Sequence, residues 1–253
     1  VAAAVSRRKV NLAEAHYFPD LTPIPTRLHK IFDLEFHDDI AVDENWTVGD
    51  CIQKLGVWEP VETAVLSSAF AGNPESTFVD IGCHIGWYTV IARQWGLAVV
   101  AIDANEQNLK LLEKRHDRHI YRFHEWIDKG WDPDIMWPEP CIVKMDIEGT
   151  EQHAVNAMWD LFSVGTVTHA LIECSPVFND SYPKLLERLI GVGYECWILP
   201  PKREDPAPMD DTRLWLETEC LPLQALGPVT RSDWVKDQHQ FNAVICKEDS
   251  KWG

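Results

Sequence analysis

The sequence predicts an α/β protein built on a doubly wound, mostly parallel sheet. Three observations predict it. Short apolar runs rich in Val and Ile alternate with amphipathic stretches from residue 60 onward, the order that buries a parallel sheet beneath helices on both faces. A glycine-bearing turn, Gly82 to Gly86, directly follows the first of these runs. Acidic residues (Asp103, Asp146, Glu173) stand at the ends of later runs, and in open α/β sheets the carboxyl ends of strands are where ligands bind.

Each element follows in order. Residues 60–70 (PVETAVLSSAF) read as a helix opening on Pro60, where a missing N–H costs nothing. Asn73-Pro74 breaks the chain, and 77–81 (TFVDI) form a buried strand. A helix over 87–95 follows the glycine turn, then a strand over 98–102 and a helix over 106–118 with Leu109 and Leu112 on one face. Strands are expected at 120–126, 141–145, 167–173, 194–199 and 241–246, and helices at 151–162 and 182–192. That makes seven strands, wound by right-handed crossovers. Residues 1–50 lack periodicity and read as an N-terminal extension. Residues 51–253 carry the domain, with a Pro- and Asp-rich insertion at about 200–238.

Bulk properties narrow the function. The chain has 253 residues, 45% hydrophobic and 25% charged, ordinary for a globular domain. Its formal charge of -17 disfavours a bare phosphate backbone as partner, so no nucleic acid is favoured. No apolar run is long enough to span a membrane. Val1 to Val5 is too short for a signal-peptide core, and its basic residues follow it rather than precede it. The reading is therefore cytoplasmic. Seven cysteines without a C-x-x-C pair read as free thiols, against a zinc site.

The first strand runs into Val79-Asp80-Ile81-Gly82-Cys83-His84-Ile85-Gly86-Trp87-Tyr88. Glycines here let the backbone turn sharply and approach a ligand. Asp103, ending the next strand, suits a ribose diol. The pattern D-x-G-x-x-x-G differs from the dinucleotide G-x-G-x-x-G. Asp80 would repel a pyrophosphate but suits the ammonium and sulfonium of S-adenosylmethionine. The competing reading is a plain strand-to-helix turn with a capping Asp.

Four segments taken together extend this picture: Trp58-Glu59-Pro60, VDIGCHIGWYTVIA, VVAIDANEQNLKLL and Lys144-Met145-Asp146-Ile147-Glu148-Gly149-Thr150-Glu151. In this order they resemble the FkbM family of methyltransferases over roughly residues 57–247. The resemblance implies a class I methyltransferase (Rossmann-like) fold, S-adenosylmethionine as cofactor, and O-methylation of a hydroxyl. By the same resemblance, Asp80, Gly82 and Gly86 contact the methionine moiety and Asp103 holds the ribose. His84, Cys83 and Asp103-Ala104 depart from the family's usual Asn, Ala and Glu-Pro. Trp87, Tyr88 and Trp126 are added as candidate cofactor-lining residues.

At the reaction end, a hydroxyl acceptor must lose a proton, which calls for a base or a metal. The candidates are Asp146 with Glu148 or Glu173, and Lys144, whose side chain leaves its strand on the same side as Asp146. Such a cluster also suits Mg²⁺ or Ca²⁺, though a metal is not the favoured reading. Glu151 needs only the helix dipole to explain it. The expected partner is a small-molecule or carbohydrate acceptor, with no membrane and the oligomeric state open. The rivals are an RNA ribose 2′-O-methyltransferase, a nicotinamide oxidoreductase and a catalytically silent cofactor-binding module.

Overall fold

The computed structural model describes residues 58–132, 135, 137, 139–199, 216, 217, 220–226, 240–247 and 249–252, with single positions at 48, 52, 235 and 238. Most of the expected N-terminal extension and of the 200–238 insertion lies outside these residues.

The described chain alternates as expected. Helix α1 (Pro60–Gly72) leads into β1 (Thr77–Ile81), α2 (Trp87–Trp95), β2 (Val99–Asp103), α3 (Glu106–Glu113), β3 (Ile120–His124) and β4 (Cys141–Met145). Then come α4 (Glu151–Ala157), α5 (Trp159–Val164), β5 (Val167–Cys174), α6 (Tyr182–Gly191), β6 (Tyr194–Ile198), β7 (Leu221–Pro222) and β8 (Phe241–Lys247). One sheet takes them in the order β3-β2-β1-β4-β5-β8-β6-β7. Strands β1 to β5 pair in parallel, and β8 runs antiparallel between β5 and β6. This is a doubly wound, mostly parallel sheet, with eight strands where the sequence predicts seven. The additional strand is the two-residue β7, which pairs with β6 at the sheet edge within the segment read as an insertion.

Most other boundaries fall within two residues of expectation, and two helices depart further. The helix expected over 106–118 ends at Glu113, and the chain leaves it through His116 at φ 52°. The helix expected over 151–162 divides into α4 and α5 at Met158. Backbone pairing continues through the break, because Met158 N–H donates to Ala154 O and Met158 O accepts from the N–H groups of Leu161 and Phe162. The six cysteines among the described residues are free and buried; Cys51 lies outside them.

Strand periodicity sorts the interior into two layers. Phe78, Val99, Ala101, Ile142 and Leu171 point to one face, packed with residues of α1 and α2. Val79, Ile81, Val143, Met145 and Ile172 point to the other, against α4, α5 and α6. Because side chains alternate, the residues two positions beyond the first set share its face. Asp80, Asp103, Lys144 and Glu173 therefore all emerge on the α1/α2 side at the carboxyl ends of their strands.

The β1 and β4 ends come unusually close. Asp146 N–H donates to Ile81 O at 3.0 Å, and Gly82 adopts φ 76°. A Cβ at Gly82 would lie 1.9 Å from the carbonyl oxygen of Asp146, so both conformation and space demand glycine. Gly82→Ala is expected to destabilise the fold by about 2–4 kcal/mol, read as a lower urea midpoint at unchanged m value.

Candidate active site

A cleft of about 440 Å³ opens over the carboxyl ends of β1, β2, β4 and β5, floored by the turn after β1 and flanked by Trp58 and Glu59 ahead of α1. This is where strand order reverses direction between β1 and β4, the place such sheets bind ligands. Of the residues expected at a cofactor site, Gly82, Cys83, His84, Trp87, Tyr88 and Asp103 line it. Lys144, Asp146, Glu148 and Glu173, the expected reaction-end residues, line it too.

Four other candidates stand elsewhere. Asp80 lies beneath the floor, fully buried, accepting from Thr89 Oγ1 at 2.6 Å. Gly86 turns the chain into α2 at φ 86°, where a Cβ would meet Leu112 Cδ2 at 2.2 Å. Ala104 is exposed, its carbonyl 2.9 Å from His124 Nε2. Trp126 is 74% exposed and is not brought to the cleft.

Asp103 organises the glycine turn. Its Oδ2 accepts from the backbone N–H of His84 at 2.7 Å, and its Oδ1 accepts from Asn105 N–H at 2.7 Å and Asn108 Nδ2 at 3.1 Å. These bonds hold His84 in a left-handed conformation, φ 49°. Burial lowers the His84 imidazole pKa, with the nearby Asp103 acting the other way.

The reaction end centres on Lys144. Its ammonium, almost completely buried, bonds Asp146 Oδ2 at 3.0 Å and Gly82 O at 3.4 Å, and lies 5.4 Å from the centroid of the Tyr88 ring. Burial alone would lower its pKa, but Asp146, Asp80 and Glu59 together outweigh burial and raise it. Asp80 and Glu173 nearby shift upward. Burial pushes Asp80 up to about 6 against the opposing pull of Lys144. Burial, reinforced by Asp146 and Glu59, pushes Glu173 up to about 8. Gln240 Nε2 donates to Glu173 Oε1.

Asp146, Glu148 and Glu173 place carboxylate oxygens within 4.8 Å of one another. An oxygen set of this kind can coordinate a hard cation; here the Lys144 ammonium already sits beside Asp146 and supplies positive charge to it. Glu151 belongs to the scaffold instead. It is buried, accepts from Ile147 and Gly149 N–H at 2.9 and 3.3 Å, and takes the Tyr182 hydroxyl on its other oxygen. It thereby fixes the turn that carries Glu148 at φ 54°.

Glu59, Asn108 and Gln240 also belong to this cleft, and sequence reasoning gave none of them a role. Only Glu59 carried a signal, through its place in Trp58-Glu59-Pro60. Asn108 and Gln240 reach the site from a helix and from beyond the insertion, with nothing local to mark them.

No family model matches the chain, and no curated relative matches it. Solved structures with a similar fold include an rRNA methylase from Streptococcus thermophilus, 15% identical, covering 76% of this chain and 98% of that one at TM-score 0.46. A precorrin-6y C5,15-methyltransferase from Geobacter metallireducens is 14% identical, with 81% and 94% covered at TM-score 0.43. An S-adenosylmethionine dependent methyltransferase from Mesorhizobium loti is 14% identical, with 68% and 91% covered at TM-score 0.37. Likeness at this level carries no chemistry, so the function rests on the residues of the cleft themselves.

The raised acids have a consequence for stability. Each binds a proton more tightly folded than unfolded, so stability is fullest below the unfolded carboxylate range and falls as pH rises through the folded values of Asp80 and Glu173. The protein is expected to melt at a higher temperature near pH 5 than near pH 8, since a tenfold gain in proton affinity on folding contributes at most about 1.4 kcal/mol. Glu173→Gln should narrow that difference. Thermal melts at matched ionic strength check it; a melting temperature that climbs from pH 5 to pH 8 is the contrary result.

Proposed function

We propose that this chain is an S-adenosylmethionine-dependent methyltransferase acting on a hydroxyl of a small molecule or sugar, in line with its sequence resemblance to the FkbM family. The observation that carries the reading is the charge of the cleft. Glu59, Asp103, Asp146, Glu148 and Glu173 line it, and Lys144 is the cation among them. That balance opposes a pyrophosphate and suits a donor bearing a sulfonium and an ammonium.

The donor set also fits the cofactor's sugar. A carboxylate offers about four acceptor positions. Asp103 uses three of them on the turn, which leaves one for a ribose hydroxyl. S-adenosylmethionine, when bound, supplies an activated methyl group. The chain's own part is to orient the two reactants and keep water out, for which Trp58, Ile85 and Trp87 provide apolar wall beside the carboxylates. Residues 1–50 and 200–238 are the natural source of acceptor contacts, because loops over strand ends usually carry specificity.

Calorimetric titration with S-adenosylmethionine, S-adenosylhomocysteine and NADH tests the reading. Binding of the first two at roughly micromolar Kd and no binding of NADH is expected. Asp103→Ala should weaken it at least about tenfold, a loss of about 1.4 kcal/mol. A folded sample that binds neither adenosyl compound would reduce the glycine turn to a structural connection. RNA binding with a steep salt slope would favour ribose 2′-O-methylation instead.

A further inference from the structure

Two carboxylates of the cleft, Glu59 and Glu148, stand on left-handed backbone, and Glu59 is the more buried of the two. Glu59 precedes α1 at φ 43°, ψ 72°, a left-handed conformation that L side chains rarely adopt. The proline that follows steers its neighbour toward extended backbone instead. The surroundings hold the residue there. Glu59 O accepts from Thr63 N–H at 2.8 Å, Thr63 Oγ1 donates to Trp58 O at 2.7 Å, and Trp87 Nε1 donates to Thr63 Oγ1 at 2.9 Å. Strain kept by its surroundings at a cleft points to function.

The result is a side chain aimed at the reaction end. Tyr88 donates its hydroxyl to Glu59 Oε2 at 2.6 Å, which leaves Oε1 for a bound molecule. The charged groups that act on it are Lys144 on β4, Glu62 on α1 and Asp146 beyond β4, and Glu59 in turn acts on Glu173 on β5. Lys144 therefore has four carboxylates around it: Asp80, Asp146, Glu59 and Glu173.

We propose that Glu59 is the general base of the methyl transfer, taking the proton from the acceptor hydroxyl as its oxygen attacks the methyl carbon. This rests on the methyltransferase reading above. The acceptor oxygen–carbon bond forms and the carbon–sulfur bond breaks. The electron pair of the broken bond stays on sulfur as a neutral thioether, and the hydroxyl proton passes to Glu59.

The other carboxylates are less suited. Asp146 is committed to the Lys144 ammonium, its Oδ2 3.0 Å from Nζ. Glu173 already accepts from Gln240 Nε2, and burial, reinforced by Asp146 and Glu59, pushes it upward. Glu148 is exposed to solvent on its turn. Glu59 has a neutral partner, and burial pushes it up to about 7 while Lys144 pulls the other way. A base is most effective when poised near the working pH.

The test compares the full chain with Glu59→Gln and Tyr88→Phe. Donor binding is measured by calorimetry with S-adenosylmethionine. Turnover is measured as S-adenosylhomocysteine release against a panel of sugars, phenols, hydroxy acids and a short RNA, across pH. At saturating donor, Glu59→Gln should turn over roughly 10²–10⁴-fold more slowly, without the rise in rate through neutral pH. Tyr88→Phe removes a hydrogen bond that favours the ionised carboxylate, so its rise should move to higher pH. A merely structural role for Glu59 would not move that limb. Parent-like turnover in Glu59→Gln, or a limb unmoved in Tyr88→Phe, overturns the proposal alone. Donor binding by the parent without transfer to any hydroxyl of the panel also overturns it. A parent that binds no donor overturns the methyltransferase reading and this proposal together.

Discussion

The buried ammonium of Lys144 is the interaction that holds the cleft together. A lone buried cation is costly, and a cluster of carboxylates is costly for the opposite reason. Each is tolerable because of the other. Asp146 makes direct contact, while Asp80 and Glu59 act through space. Their own burial pushes Asp80, Glu59 and Glu173 upward, while Lys144 pulls the other way. Carboxyl groups buried around one ammonium are thus poised across the neutral range, a condition a proton-transferring site needs.

That arrangement follows from register. Asp80 and Lys144 are direct partners in the β1–β4 ladder, and Lys144 pairs with Leu171, two residues before Glu173. With a side-chain period of two, a slip of one residue in either ladder would send these groups to the opposite face. The two hydrophobic layers oppose such a slip, because it would turn Phe78, Ile142 and Leu171 away from one layer and Val79, Val143 and Ile172 away from the other. Core packing, with no catalytic requirement of its own, therefore lines up the polar groups at the strand ends.

The turns around the cleft are held by side chains that satisfy the backbone. Glu151, with the Tyr182 hydroxyl, locks the turn after β4. Asp103 locks the turn after β1 through His84, Asn105 and Asn108. Thr63 and Trp87 lock the entry to α1. Each pairs groups that a sharp turn would leave bare, and each keeps a non-glycine residue (Glu148, His84 or Glu59) in a left-handed conformation beside the cleft. Several candidate residues thus stand on fixed rather than fluctuating backbone.

The sheet, its winding and the strand ends that matter were all legible in the amino-acid order. Those depend on apolar runs and their period, which are local properties. Asp103, Lys144, Asp146 and Glu173 could be singled out for that reason, since a polar residue ending an apolar strand is visible in one dimension. Packing in three dimensions settled the rest. It separated Asp80, buried beneath the floor, from the groups that line the cleft, and left Trp126 in solvent. It brought Glu59 and Gln240 to β4 and β5 from distant parts of the chain, and it added β7 at the sheet edge. These outcomes turn on which helix lies over which strand end, and on backbone conformations such as the left-handed Glu59. Non-local packing sets both, and no short stretch of sequence records it.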